Sequence, residues 1–309
     1  MSAKSSSSSA SKPRILHMLT PEPNVSPFDV NMAVDAGFEV VIPYGGIGAN
    51  DVTGLVQDAI FSRSPGSASA TGVFLGGWDV NLAADMLERA RSALVPPFEL
   101  SSFADPNGAY TTSAAMIALV QRAFEARATR ALAGARVKVF GGGPVGLCAG
   151  VLAAKLDAAV TLVRLTGRPE SDAVDRFAKR YDVRLASVKG QTVEERAGAL
   201  ADAEIILCTA KAGVQIVDNA LLRHAASLVV AADVNAVPPA GIEGVDAMSD
   251  SAELQTGAGT AAALGALTIG KLKYSVQRNL FKQMLGTNSA LSLDFMDALT
   301  EANAIAQQG

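Results

Sequence analysis

Residues 136–156 read RVKVFGGGPVGLCAGVLAAKL. Val137 to Phe140 form a β-type run, Gly141 to Gly146 a glycine-rich turn, and the rest a small-residue, helix-like segment. Gly141, Gly143 and Gly146 carry the spacing of a dinucleotide-binding loop. The first glycine allows a tight turn, the second lets the backbone approach a pyrophosphate, and the third lets the helix pack on the strand. Pro144 and Val145 open the helix, whose free N–H groups and positive dipole end suit phosphate. An ordinary glycine turn shows the same letters. The strand before it and the helix after it turn the reading toward a nucleotide.

Composition narrows the rest. The 309 residues are 49% hydrophobic and 18% charged, which suits a well-buried α/β chain of one large or two ordinary domains. A net charge of −4 leaves no basic footprint for nucleic acid. Cys148 and Cys208 sit in apolar runs and read as buried thiols of a reducing, cytoplasmic compartment. His17 and His224 lack ligand spacing, so no metal site is expected. Residues 1–12 form a Ser/Ala tract without an apolar core, expected to be a disordered tail rather than a secretory signal. Ala261 to Ile269, the most apolar later stretch, is too short to span a bilayer, and no membrane association is expected.

From Ile15 onward, apolar runs alternate with helical ones. Strands are expected at Ile15–Leu19, Phe38–Ile42, Gly72–Leu75 and Phe98–Phe103, with helices at Pro27–Ala36, Asp51–Phe61 and Asp79–Leu94. Such alternation implies βαβ units and a parallel sheet. Asp79 reads as an N-cap and residues 64–71 as a surface loop. A long helix, Thr111 to Leu132, then crosses into a Rossmann-type, doubly wound parallel sheet. Its later elements are strands Ala159–Leu165, Glu204–Thr209 and Leu228–Ala232 and a helix over Asp172–Tyr181. The tail, Thr260–Leu285 and Ser292–Gln307, reads as helices with no strand to feed, returning to the first domain. The fold class is therefore two α/β domains: residues 13–112 with 270–309, and residues 113–269.

A site for NAD usually has Asp or Glu at the end of the second strand, to hold the ribose 2′-hydroxyl. Here that end reads Val163-Arg164-Leu165-Thr166-Gly167-Arg168, and Glu170 is the first acid. Arg164 and Arg168 favour a 2′-phosphate, hence NADP, with NAD also possible; as solvated loop charges they would select neither. Thr209 and Ala210 close the next strand. Asn235 and Pro238 lie in the stiff segment after Asp233, where strand ends face the ligand crevice and a nicotinamide ring could be held.

The loop Asp105-Pro106-Asn107-Gly108 precedes the long helix. Thr111 or Asn107 is a natural N-cap, which leaves Asp105 surplus and free for substrate. On the later helix, Ile269, Lys273, Val276, Leu280 and Met284 share one face, while Lys271, Arg278 and Lys282 share the other. A lysine inside an apolar stripe needs a partner or a cleft, unless it snorkels to the surface. Lys273 is expected to point into the interdomain cleft, with Gln277 one turn on. No lysine occurs between Pro13 and Val137, so a working lysine must come from the C-terminal return.

Motifs in order carry a resemblance over nearly the whole chain after Lys12. They are residues 17–21 (HMLTP), 26–30 (SPFDV), 74–77 (FLGG), 105–108 (DPNG), Thr111-Thr112, the Gly141 loop, 233–239 (DVNAVPP) and 265–273 (GALTIGKLK). The chain resembles the NAD(P)-dependent methylenetetrahydromethanopterin dehydrogenases of methylotrophic bacteria, nearer the branch specific for tetrahydromethanopterin. The resemblance implies hydride transfer from a methylene bridge between two pterin nitrogens to the nicotinamide, with no general base. It also implies Phe28 against the pterin or its phenyl ring, and Asp29 and Asp105 as hydrogen-bond acceptors. Asn107, Thr111, Thr112 and Gln277 would line the cleft, and Lys273 would contact the substrate. Where the folate-using branch is expected to carry histidine, this chain has Gln277. Alternatives are the same reaction on methylenetetrahydrofolate, or an NADP(H)-binding protein without turnover. A homo-oligomer, trimer or hexamer, is compatible with the apolar C-terminal helices.

Overall fold

In the computed structural model, which describes residues 12–65, 70–167, 172–287 and 289–308, the first alternation becomes a five-stranded sheet. Its elements are β1 (Ile15–Leu19), α1 (Pro27–Ala36), β2 (Val40–Tyr44), α2 (Ala49–Phe61), β3 (Thr71–Leu75), α3 (Val80–Ser92) and β4 (Ser101–Ala104). All pairings are parallel, in the order β2-β1-β3-β4, so the chain reverses direction of winding between β1 and β3. β3 and β4 are buried at every residue, as strands covered on both faces must be. Asp79 caps α3 as expected, accepting from the backbone N–H groups of Asn81 and Leu82. Thr71 is a correction to the surface-loop reading: it is buried and opens β3.

A turn at Pro106–Gly108 leads into α4 (Ala109–Ala128), which crosses to the second sheet. There follow β5 (Arg136–Phe140), α5 (Pro144–Lys155), β6 (Ala159–Arg164), α6 (Asp172–Arg180), β7 (Ala186–Lys189) and α7 (Val193–Leu200). The sheet is completed by β8 (Ile205–Cys208), α8 (Asn219–Leu222), β9 (Val230–Asp233), β10 (Asp250–Gln255) and β11 (Thr260–Leu264). The order β7-β6-β5-β8-β9-β11-β10 is doubly wound, with its switch point between β5 and β8. Among the described strands of this sheet, only β10 is antiparallel.

The tail differs from its helical reading. Thr260–Leu264 is a strand, and α9 begins at Ala266 (Ala266–Leu285). Ala261–Ala263 score as helix formers, yet their small side chains suit a fully buried strand with α4 lying across it. Ser292–Leu293 form β12, which pairs with β4, so the tail does feed a strand before α10 (Phe295–Ala306). α9 does return to the first sheet. Phe281 anchors it, its ring 5.2 Å from Phe103, 5.4 Å from Phe74 and 6.1 Å from Phe38. That anchor fixes Lys273 two turns upstream. The expected disordered tail lies outside the described residues, save Lys12.

Candidate active site

The glycine loop is shaped on one side and open on the other. Gly141 has φ +114°, a left-handed conformation that disfavours any side chain, and a Cβ there would lie 2.8 Å from the Thr209 carbonyl oxygen. A Cβ on Gly146 would lie 2.0 Å from the Gly141 carbonyl oxygen and 2.4 Å from Thr209 Oγ1. Thr209 Oγ1 donates to that carbonyl at 2.9 Å, pinning the loop to the end of β8 beside Ala210. A Cβ on Gly142 or Gly143 would meet nothing within 4 Å. Gly143 caps α5, and Pro144 occupies its first turn, where its missing N–H costs nothing. Val145 is half-buried behind them. This is a cradle with its open side at a helix N-terminus, and it fits a pyrophosphate.

Arg164 ends β6, and its Nε is buried without a hydrogen-bond partner. Arg168 lies outside the described residues. Asn235 is an organiser of the loop after β9. Its Oδ1 accepts from the Gly213 and Val237 N–H groups, and its Nδ2 donates to the Pro239 carbonyl. Asp233 ties down both ends of that loop by accepting from the Asn235 and Ile242 N–H groups. Burial raises the Asp233 carboxyl above its ordinary range. Pro238 is exposed on the loop, joined to Pro239 by a cis peptide bond.

At the switch point of the other sheet, an open pocket of about 230 Å³ sits beyond the ends of β1 and β3. Crevices at such points are where open α/β sheets bind ligands. Thr20, Glu22, Asn24, Trp78, Asp29 and Asn107 are among its lining residues. The Pro106–Gly108 turn also packs against α5, bringing the nucleotide helix beside this pocket.

Behind the pocket lies a cluster of charges. Lys273 is 9% exposed, its Nζ stands 3.8 Å from the centre of the Phe28 ring, and it donates to Gln277 Oε1. Gln277, fully buried, donates through Nε2 to Asp29 Oδ1 at 2.7 Å. Burial lowers the Lys273 ammonium, while Asp105 and Asp29 raise it. Asp29 is pushed up to about 6, chiefly by burial and secondly by Asp105, against the donation from Gln277 and the charge of Lys273. Burial also raises Asp105, which is held down by Lys273 and its hydrogen bonds to Thr111 and Tyr110.

Asp105 reverses the capping assignment read from the sequence. It accepts from the Tyr110 N–H at 2.9 Å, the Thr111 N–H at 3.2 Å and the Thr111 hydroxyl at 2.6 Å, so it caps α4 itself. Three donors aimed at one carboxyl oppose the rise that burial imposes on it. Asp105 and Thr111 are fully buried, whereas Thr112 is half-buried and Asn107 faces the pocket with φ +49°. Gly108 was not singled out in the sequence. A Cβ there would stand 3.3 Å from Lys273 Cε, so the glycine makes room for the lysine, at φ +67°. Its place after Asn107 was the only signal.

One half is shaped for a pyrophosphate, the other for a polar ligand against a buried charge cluster, and together they define a dinucleotide-dependent oxidoreductase. Residues 27–107 match the family model described as methylene-tetrahydromethanopterin dehydrogenase, N-terminal. The chain is 46% identical over 294 residues to the NAD(P)-dependent methylenetetrahydromethanopterin dehydrogenase of Methylorubrum extorquens, covering 94% of this chain and 98% of that one. The bifunctional protein MdtA of the same organism is 30% identical over 268 residues, 86% and 90% of the two chains. The chain belongs to the NAD(P)-dependent methylenetetrahydromethanopterin dehydrogenase family. Among solved structures, an NAD-dependent malic enzyme from Thermotoga maritima matches with TM-score 0.55 at 10% identity, over 94% of this chain and 84% of that one. Ornithine carbamoyltransferase from Pyrococcus furiosus matches at 0.54 and 11% identity, over 89% and 85%. Both likenesses are of fold alone.

Proposed function

We propose that the chain oxidises methylenetetrahydromethanopterin to methenyltetrahydromethanopterin, with NAD(P)⁺ as hydride acceptor, in one-carbon oxidation. The observation that carries the reading is the Lys273–Gln277–Asp29 chain beside Asp105, behind a pocket that adjoins the nucleotide helix. The substrate's bridge carbon lies between two nitrogens. The lone pair of one nitrogen expels the hydride, and the methenyl cation is delocalised over both. When bound, the nicotinamide accepts that hydride at C4.

The protein's part is position and field. Gly141, Gly143 and Gly146 with the α5 N-terminus would hold the pyrophosphate, and the rigid Asn235–Pro238 loop would set the nicotinamide. Phe28 is 47% exposed, so one face can stack on the pterin while Lys273 occupies the other side. Asp29 Oδ1 is committed to Gln277, which leaves Oδ2 to accept a pterin N–H. Asn107 and Thr112 line the cleft, and Thr111 supports Asp105 from inside. With two carboxylates against one ammonium, the ionised cluster has one negative charge in excess. That excess favours a developing cation, so Lys273 orients substrate without opposing the charge that forms.

NADP⁺ is the preferred cofactor in this reading, supported by Arg164 and the lack of an acid at the end of β6. Residues 13–112 with 270–309 would form the pterin part and 113–269 the nucleotide part. The reading includes a cytoplasmic homo-oligomer. Its support is the open edge β2, where Val40 and Ile42 are more than a third exposed.

The test follows reduced nucleotide by its absorbance, with methylenetetrahydromethanopterin or methylenetetrahydrofolate and each cofactor. Reduction with the methanopterin, faster with NADP⁺, is expected. Turnover of the folate alone would reassign the substrate. Nucleotide binding with no turnover of either would leave a non-catalytic binding protein.

A further inference from the structure

Gln277 was expected to touch substrate, but it is fully buried and both ends of its amide are already engaged. Lysine can only donate, and an ionised aspartate can only accept. One amide orientation satisfies both: carbonyl to Lys273, NH₂ to Asp29. The flipped amide would set NH₂ against ammonium and carbonyl against carboxylate. Gln277 itself has no exposed surface, so losing either bond leaves a largely buried charge underserved.

We propose that Gln277 is the positioning residue of this site: its amide couples Lys273 to Asp29 and holds Asp29 as an acceptor with Oδ2 turned to substrate. The proposal rests on the pterin reading given above. It assigns Gln277 no contact with substrate. Its effect passes through Asp29, which faces Lys273 and Gln277 from α9 and Asp105 from the end of β4. Donation by Gln277 opposes the rise that burial and Asp105 impose on Asp29. Without it, Asp29 takes up its proton at higher pH and the cluster loses its excess negative charge sooner.

The test is a pH profile of kcat/KM for Gln277→Met, which keeps the volume and removes both bonds, and for Gln277→His. A neutral imidazole can accept from Lys273 at one nitrogen and donate to Asp29 at the other. For Q277M, kcat is expected to fall about tenfold or more, since two hydrogen bonds to charged groups are lost. Its acid limb should move to higher pH while KM for the nucleotide stays put. Q277H should return the limb toward its original position. If Q277M does not fold, Gln277→Glu replaces it, with the limb expected to move up because a second carboxylate faces Asp29. A limb unmoved in every folded variant overturns the proposal, as does uniform loss at all pH values without rescue by Q277H. Carboxyl ¹³C titration of Asp29 in the substrate-free protein gives the same comparison without turnover. If the wild type turns over no pterin, the reaction reading fails alone, and this titration still decides the role of Gln277.

Discussion

Asp29 binds its proton near pH 6 in the folded chain and near its ordinary 3.8 in the unfolded chain. A carboxyl raised by folding stabilises the native state below its unfolded value, and that stability is lost as pH rises through the folded value. Stability should therefore increase from pH 7 toward pH 4, by up to about 3 kcal/mol from this residue. Turnover should fall over the same window, since the ionised form accepts from substrate. In Asp29→Asn the rise in stability between pH 7 and 5 should shrink, measured by denaturant titration at each pH. Its turnover at pH 7 should fall tenfold or more. An Asp29→Asn enzyme with the wild-type stability profile would mean that Asp29 is not proton-linked to folding. Lys273→Met should cut kcat by about a hundredfold, the cost of a mispositioned substrate, and leave nucleotide affinity within about twofold; unchanged kcat would return Lys273 to a packing role. The stripe of Ile269, Val276, Leu280 and Met284 made Lys273 legible, because burial of a lone charge stands out against apolar neighbours. Asp105 was misread because a turn preceding a helix offers several capping side chains, and only the backbone path says which one reaches the free N–H groups. The role of Gly108 was illegible for a related reason: the neighbour it makes room for is 165 positions away in α9.

The glycine loop separates folding from binding within one element. Gly146→Ala would force a Cβ to 2.0 Å from the Gly141 carbonyl, so α5 must shift from β5, at a cost of about 1–3 kcal/mol. Gly143→Ala meets no protein atom, so stability should stay within about 0.5 kcal/mol while nucleotide affinity drops about tenfold or more. Calorimetric titration with NADP⁺ alongside thermal melts checks both; equal affinity in the Gly143 variant would remove the pyrophosphate from this loop. Strands buried on both faces, such as β3 and β8, announced themselves as apolar runs. β7 and β10 were passed over because they lie at sheet edges with polar side chains, and β11 because alanine-rich strands look helical until their neighbours are known. β12 has two residues and no local signal; its pairing with β4 is purely tertiary.

At the scale of the molecule, one hydrophobic core reaches both sheets, carried by α4 with α9 and α10 packed on it, and a second core around Phe140, Ile206 and Ile242 belongs to the second sheet alone. Arg176 and Arg180 of α6 also grip Asp85 of α3 across the two halves. The chain should accordingly melt in one transition. NADP⁺ at a hundred times its Kd should raise the whole transition, by about 2.7 kcal/mol of added stability. Two transitions in calorimetry, only one responding to nucleotide, would mean that the halves unfold independently. The two parallel sheets and the doubly wound winding of the second followed from alternating runs in the sequence; the strand order of the first sheet, and with it the pocket's walls at Thr20, Asn24 and Trp78, did not, since loops acquire meaning only once strand order is known. The central claim is direct hydride transfer between those two sites. Its most direct measurement is to supply pterin carrying deuterium on the methylene bridge and weigh the reduced nucleotide. One deuterium appearing in NADPH is the predicted result. Reduced nucleotide without deuterium, or none formed with either pterin, would contradict it.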